Sequence, residues 1–174
     1  MKTRMLFLII SLLGMANLMC LASVRDYDQD HSFTKTEPQR EQLAGKYVPT
    51  SETISFIIDE GQYQLNDISI SLYPDGNFEM QNMPDWWLPN DAGYGKPDGF
   101  LDSGIGRWTV SQDNLSGLWQ LTLAFESGIF NGVHETFTIS LDLNGEQPPY
   151  SIWIYVGNPD RGRVMIFEQE VRNP

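Results

Sequence analysis

Aromatic side chains are concentrated in one long predicted loop. The segment between Gln81 and Gly104 carries Trp86, Trp87, Tyr94 and Phe100. Loops of this length without secondary structure of their own are uncommon and often have a binding role. The four rings can stack on a sugar or an apolar ligand, or they can cap the core of the domain, since aromatic side chains bury large areas. The sequence leaves both interpretations open.

A second pair of aromatic residues lies near the C-terminus. Trp153 and Tyr155 alternate with Ile152, Ile154 and Val156, so both faces of this predicted strand carry bulky groups. One face belongs to the core, and the other is either covered or available to a ligand. Trp153 and Tyr155 are therefore added to the candidate ligand-binding residues.

Carboxylates with the spacing of a calcium loop occur near the N-terminus. Asp26, Asp28, Asp30 and Glu37 take positions one, three, five and twelve of that pattern. Position six is His31, where the pattern requires glycine for its sharp turn. A solvated acidic tether is therefore the favoured interpretation, and we expect no metal or cofactor.

The sequence has no recognisable catalytic constellation. It lacks the nucleophile elbow and the metalloprotease helix motif, and its two histidines are His31 and His134. Residues 100–104 match the apolar-apolar-Asp-Ser-Gly motif of aspartic proteases, in which two aspartates share a proton, but only one copy is present. No catalytic residue is predicted, although two of the many carboxylates could still serve a glycan hydrolase.

The N-terminal residues have the layout of a bacterial secretory signal. Lys2 and Arg4 precede an apolar run from Met5 to Leu13, and small residues follow it. This predicts a signal peptide over residues 1–22 and a location outside the cytoplasm, periplasmic or secreted. An anchor through lipidated Cys20, or an uncleaved N-terminal helix, is the alternative, and either would be the chain's only membrane contact.

The charge of the chain restricts its partners. The sequence has 23 acidic and 11 basic residues, for a net charge of −12. Such a field repels phosphate backbones and therefore argues against nucleic-acid binding. It allows attraction to a basic protein, although acidity also keeps exported proteins soluble.

Alternating apolar residues predict an all-β domain. The pattern is clearest in Ile68–Leu72, Gly106–Val110, Trp119–Phe125, Phe137–Leu143 and Val164–Phe167. Turn signals separate these strands at Pro74 to Gly76, Asp113 to Gly117, Asn144 with Gly145, and Gly157 to Gly162. Pro148 and Pro149 are expected to enter the strand that follows them. Weaker strands over Lys46–Val48 and Thr53–Ile58 raise the expected count to eight or nine, and no helix of useful length is expected.

These patterns predict one domain preceded by two accessory segments. Residues 1–22 form the signal peptide, 23–42 a flexible acidic tether, and 43–172 the β domain. A meander of eight or nine strands can close into an up-and-down barrel, which removes exposed strand edges. We prefer this antiparallel barrel, and a two-sheet sandwich is the alternative.

Several segments carry a resemblance to known proteins. The Gly-x-Gly-x-Trp strand at Gly104 to Trp108 and the Pro-Pro-Tyr ending that starts at Pro148 resemble an uncharacterised family of exported bacterial proteins, to which no activity is attached. The opening strand at Tyr47 and the meandering hairpins resemble lipocalin-like and avidin-like barrels. That second resemblance implies a small ligand or a partner in the barrel mouth.

Three functions are consistent with the sequence. The first is a non-enzymatic exported binding or interaction module, whose ligand is a small apolar molecule or a sugar. The second is an acidic immunity-like or inhibitor protein that neutralises a basic partner, and the third is a carboxylate-dependent glycan hydrolase.

Overall fold

The protein is described by a computed structural model that covers residues 32–60, 63, 67–87, 99–130, 133–156 and 164–170, with the backbone alone at Glu60, Trp86 and Val133. Its main feature is a closed antiparallel β-barrel. The nine strands are β1 (Gly45–Pro49), β2 (Ser69–Leu72), β3 (Asn77–Pro84), β4 (Leu101–Gln112), β5 (Trp119–Phe130), β6 (Val133–His134), β7 (Thr138–Asn144), β8 (Ser151–Tyr155) and β9 (Val164–Gln169). Two helices, α1 (Arg40–Leu43) and α2 (Ser51–Glu60), and a 3₁₀ turn over Asp85–Trp87 complete the described elements.

Eight of the strands form the barrel in an up-and-down order. Each pairs with its neighbour in the sequence β1, β2, β3, β4, β5, β7, β8 and β9, and β9 closes on β1 through Val48 and Glu168. The two-residue strand β6 pairs with the end of β5. The predicted up-and-down barrel is therefore confirmed.

The barrel has two ends with different connections. We call the end where β1 stops and α2 begins the helix end, and the 3₁₀ turn and β6 are also located there. The opposite end, which we call the turn end, carries the β2–β3, β4–β5 and β7–β8 connections.

The predicted hairpins are present at the turn end. Ile70 pairs with Met80 across the β2–β3 hairpin, and Gly76 between them has a φ of 85°. A positive φ of this kind favours glycine because glycine has no Cβ to clash with the backbone. The β4–β5 turn and the turn at Gly145 have the same feature, so the turn residues correctly identified these connections.

The prediction of a strand over Thr53–Ile58 is wrong, because this segment lies in helix α2. Thr53 and Ile57 are buried while Ile54 and Ile58 are exposed, which is helical spacing and not strand alternation. The Thr50 hydroxyl accepts the backbone N–H of Thr53 at 3.2 Å and so caps the first turn. β-Branched residues favour strands only weakly, and here capping and burial of one helical face outweigh that preference.

The prolines near the C-terminus also lie outside their predicted element. Pro148 and Pro149 belong to the loop that precedes β8, and the strand begins at Ser151. Proline has no backbone N–H to donate to a ladder, so a position before the strand is the compatible one.

The packed unit begins earlier than the predicted domain start at Leu43. It starts at Phe33, and residues 33–43, which we call the N-terminal segment, run along the turn end. Thr34 donates its backbone N–H to Leu143 O at 3.0 Å and accepts from Trp119 N at 2.9 Å. The described part of the predicted tether therefore contributes to the barrel.

The barrel interior is filled by large side chains. The Phe125 ring stacks on Phe137 with centroids 4.6 Å apart and meets Phe78 edge-on at 4.8 Å. A Cβ on Gly104 would lie 2.6 Å from the Phe125 ring, so the first glycine of the Gly-x-Gly-x-Trp strand makes room for this aromatic side chain. The fully buried residues include Tyr47, Ile70, Met80, Met83, Trp87, Trp108, Leu121 and Phe167.

Over the part of the chain that the structure describes, no helix combines the length and hydropathy needed to span a membrane.

Candidate functional site

The helix end contains Trp87 and Phe100, two of the aromatic residues predicted to bind a ligand. Trp87 is 1% exposed, and its indole N–H donates to Asp102 Oδ2 at 2.9 Å. Its ring lies 6.2 Å from that of Phe125, at the top of the core. Trp87 therefore fills this end of the barrel, which is the capping role considered for the loop aromatics.

A second buried carboxyl group lies beside this pair. Asp85 accepts hydrogen bonds from the Tyr63 hydroxyl and from the backbone N–H of Phe100, the latter at 3.0 Å. Burial raises the pKa of Tyr63, and the hydrogen bond and the negative charge of Asp85 raise it further. Tyr63 therefore stays protonated and donating at neutral pH.

We call Tyr63, Asp85, Trp87 and Asp102 the polar cluster. Asp85 and Asp102 are 2% and 0% exposed, so their carboxyl groups do not face solvent. A general acid or base must reach a substrate proton within hydrogen-bond distance. The buried carboxyl groups instead bond the 3₁₀ turn to Phe100 and to the start of β4, and this is the structural outcome for the single aspartic-protease-like motif.

The remaining predicted ligand-binding residues are dispersed. Phe100 is at the helix end and 52% exposed, whereas Trp153 lies on the outer surface of β8 and is 7% exposed because Phe33 covers it at 5.8 Å. Tyr155 is half-buried at the end of the same strand. The structure therefore does not bring Trp153 and Tyr155 into one site with Trp87. The Trp86 side chain and Tyr94 lie outside the described residues.

The predicted metal and lipid positions fall largely outside the structure's coverage. Asp26, Asp28, Asp30 and Cys20 precede the first described residue, and Glu37 is exposed. Within the described ranges, no group of three or more His, Cys, Asp or Glu residues is placed to hold a metal ion.

A concave surface occurs at the turn end. It is a cleft of about 640 Å³, within the size range of small-ligand sites. Its two walls are formed by Tyr73 with Pro74 and by Pro148 with Pro149. The other lining residues are Glu41, Ala44, Gly45, Lys46, Ser71, Leu72, Gln169 and Glu170.

Tyr73 is anchored by hydrogen bonds although its side chain is 44% exposed. Its backbone N–H donates to Asn77 O at 2.9 Å, and its carbonyl accepts the buried indole N–H of Trp108 at 2.9 Å. The hydroxyl donates to Glu79 Oε2 at 3.2 Å. Arg40 lies 5.2 Å above the Trp108 ring, a cation–π contact that ties the N-terminal segment to this wall.

The wall formed by Pro148 and Pro149 is supported by the N-terminal segment. Thr34, which is fully buried, donates its hydroxyl to Gly145 O at 2.8 Å at the start of the β7–β8 loop. Tyr150 at the other end of that loop is 5% exposed. Pro148 and Pro149 are exposed between these two anchors. Both walls of the cleft are therefore positioned before any ligand arrives.

The floor of the cleft carries polar groups of both charges. Ser71 and Lys46 are cross-strand partners on β2 and β1, and Glu170 donates its backbone N–H to Lys46 O at 2.7 Å. A hydroxyl on β2, an ammonium on β1 and a carboxylate just after β9 thus lie on neighbouring parts of the sheet. Gln169 Nε2 donates to Ala44 O at 3.1 Å, so this amide side chain is fixed beside them.

A shallower groove of about 440 Å³ lies outside β3, β4 and β5. It includes His134 and Ser103, the residue types of a base and a nucleophile. Ser103 pairs with Ile129, and Ile129 pairs with His134, so the isoleucine separates them. The Ser103 hydroxyl also accepts the backbone N–H of Asn82 at 3.0 Å. This arrangement does not form a nucleophile–base pair.

Sequence reasoning missed the cleft. Pro74 was predicted to begin a turn, Pro148 and Pro149 were predicted to begin a strand, and no role was predicted for Tyr73. The two pairs are far apart in sequence, and only barrel closure through β1 and β9 brings them to one surface. The Tyr-Pro pair at 73–74 and the Pro-Pro pair at 148–149 were the available signals.

Comparison with known proteins identifies no matching family, no matching curated protein and no solved structure that matches this chain.

Proposed function

We propose that this protein is a non-enzymatic binding module whose recognition surface is the cleft at the turn end of the barrel. The strongest support is the pair of preformed walls that border an open volume of about 640 Å³. One wall is Tyr73 with Pro74, and the other is Pro148 with Pro149. Preformed concave surfaces with apolar walls and few polar groups are typical of binding sites.

The filled interior favours an external site. Phe78, Trp108 and Phe125 face into the barrel and are at most 3% exposed, so they occupy the space where lipocalin-like barrels hold ligands. At the helix end, Trp87 fills the adjoining space and its hydrogen bond to Asp102 is internal. The polar cluster is therefore a less suitable ligand site than the cleft.

The N-terminal pattern supports a location outside the cytoplasm as part of this proposal. The basic start and the apolar run are the features of a secretory signal. We also propose that the chain belongs to the exported bacterial family with the Gly-x-Gly-x-Trp strand. Two residues of this motif have structural roles here, because Gly104 leaves room for the Phe125 ring and Trp108 is buried.

An inhibitor of a basic protein is the second candidate. It is favoured by the net charge of −12 and by Glu41 and Glu170 in the cleft lining. The glycan hydrolase is third, because Asp85 and Asp102 are buried and hydrogen-bonded.

Ligand-observed NMR tests the proposal with four probes: hexanoate, chitotriose, tetralysine and tetraproline. At least one probe should bind the wild-type protein and the Phe100→Ala variant and fail to bind Tyr73→Ala. Chitotriose should be recovered uncleaved after prolonged incubation. Binding that is lost only in Phe100→Ala, absence of a signal from every probe, or turnover of chitotriose would overturn the proposal.

A further inference from the structure

We infer that the cleft takes an extended, proline-rich peptide segment that carries lysine or arginine. The inference rests on the proposed function and identifies the class of partner.

Backbone pairing restricts how a peptide could bind. Strand β1 forms the floor and is already paired on both sides, with β2 through Tyr47 and Ile70 and with β9 through Tyr47 and Gln169. A peptide therefore cannot add as another strand, because β-strand addition requires a free sheet edge. A polyproline II segment needs no backbone partners of this kind, since its backbone is hydrogen-bonded to water.

The walls have the chemistry of polyproline-binding grooves. Such grooves present aromatic side chains to proline rings, and the peptide is already ordered before it binds. Here Tyr73 provides an exposed ring, and its hydroxyl is fixed by Glu79 at 3.2 Å. Pro74, Pro148 and Pro149 add flat apolar surfaces that cost no side-chain entropy on binding.

The width of the cleft fits a short segment. Its walls follow β2 and precede β8, and β1 and β9 lie between them. Three strand spacings of about 4.8 Å amount to roughly 14 Å. A polyproline II helix rises about 3.1 Å per residue, so four or five residues cross the cleft.

Charge complementarity selects a basic peptide. The cleft is lined by Glu41 and Glu170 and by one cation, Lys46. Asp75 and Glu79 flank the tyrosine wall, where Arg40 and Arg107 offset part of their charge. The whole chain has a net charge of −12. Lysine or arginine beside the proline residues would meet this field favourably, whereas acidic peptides would be repelled.

Fluorescence anisotropy with labelled peptides tests the inference. The probe has four prolines flanked by two arginines, and two control peptides replace the prolines by glycine or the arginines by glutamate. Each control should bind about tenfold more weakly than the probe, because one loses the preformed backbone and the other reverses the charge. The double variant Glu41→Gln with Glu170→Gln should weaken probe binding by about threefold to tenfold, and Glu135→Gln at the helix end should leave it unchanged.

The outcomes separate this inference from the proposed function. If chitotriose or hexanoate occupies the cleft while the proline probe does not bind, the inference is wrong and the binding module stands. Equal binding of the glycine peptide would also overturn the inference, because charge alone would then explain recognition. If none of the probes binds in the cleft, both proposals fail.

Discussion

The two ends of the barrel contain similar residue types in opposite roles. At the helix end, an aromatic ring and a carboxyl group, Trp87 and Asp102, are buried and bonded to each other. At the turn end, Tyr73 and Glu79 are also bonded to each other, but the aromatic ring remains 44% exposed. The difference shows that burial, more than residue type, decides whether such a pair becomes part of the core or remains on the surface.

The same contrast explains why the sequence drew attention to the helix end. Clustered tryptophans suggest a ligand site, yet large aromatic side chains are also the most effective core residues. An exposed tyrosine between a strand and a turn draws less attention. Its hydrogen bonds nevertheless hold it in place.

The largest expected effect comes from Trp87. Trp87→Ala should lower the free energy of unfolding by about 3–5 kcal/mol, because it leaves a cavity and removes the donor to Asp102. Tyr73→Ala at the turn end should change it by less than about 0.5 kcal/mol. Urea denaturation measures both, and equal losses would break the proposed contrast between the ends.

Asp85 should have the next largest effect. Asp85→Ala removes the acceptor for Tyr63 and for the Phe100 N–H, which should cost about 1–3 kcal/mol. Asp85→Asn retains one acceptor oxygen and should cost less. Glu170→Ala serves as the turn-end comparison and should be nearly neutral in chemical denaturation. A neutral Asp85→Ala variant would show that the polar cluster does not anchor this end.

Thr34 connects the N-terminal segment to the cleft. Thr34→Val preserves the shape and removes the hydrogen bond to Gly145 O, which should cost about 1 kcal/mol. Binding of the proline probe should also weaken, because the support for the Pro148–Pro149 wall is lost. Unchanged anisotropy together with lowered stability would mean that the wall does not depend on this contact.

The stabilising contributions of the two ends should be lost at opposite extremes of pH. The raised pKa of Tyr63 means that its contribution is fully present below the unfolded tyrosine pKa of about 10 and is lost as pH rises above that value. The expected loss at pH 10.5 is less than about 1 kcal/mol. Tyr63→Phe should reduce this alkaline dependence in urea titrations, and an unaltered slope would contradict the assignment.

The smallest expected effect is the loss of stability at the turn end in acid. The backbone N–H of Asn77 holds the pKa of Asp75 below its usual value. The stability from this group is therefore present above the unfolded aspartate pKa of about 3.9 and is lost as pH falls through the folded pKa. Asp75→Ala should flatten the acid limb of the stability curve slightly, and Asp59→Ala provides an exposed control.

Local patterns predicted the strands well because alternate residues of a half-buried strand face the core and the solvent. Leu121, Leu123 and Phe125 face the core as the period of two requires. Helix α2 was missed because Ile57 and Ile58 have strand preferences, while the signal for a helix lay in the cap at Thr50.

The candidate site could not be predicted in the same way. Its walls come from the β2–β3 and β7–β8 connections, and their proximity depends on closure of β9 on β1. The contribution of Phe33 and Thr34 was hidden for a similar reason, because isolated residues in a polar segment have no periodicity to read. Long-range pairing, and not local preference, creates this surface.

The most direct test of the cleft as the binding surface is a two-dimensional ¹H–¹⁵N NMR titration of the protein with the proline and arginine probe. We expect shifts at the backbone amides of Gly45, Lys46, Tyr73 and Glu170, with those of Asp85 and Asp102 unchanged. Shifts concentrated at Asp85 and Asp102 would contradict the account.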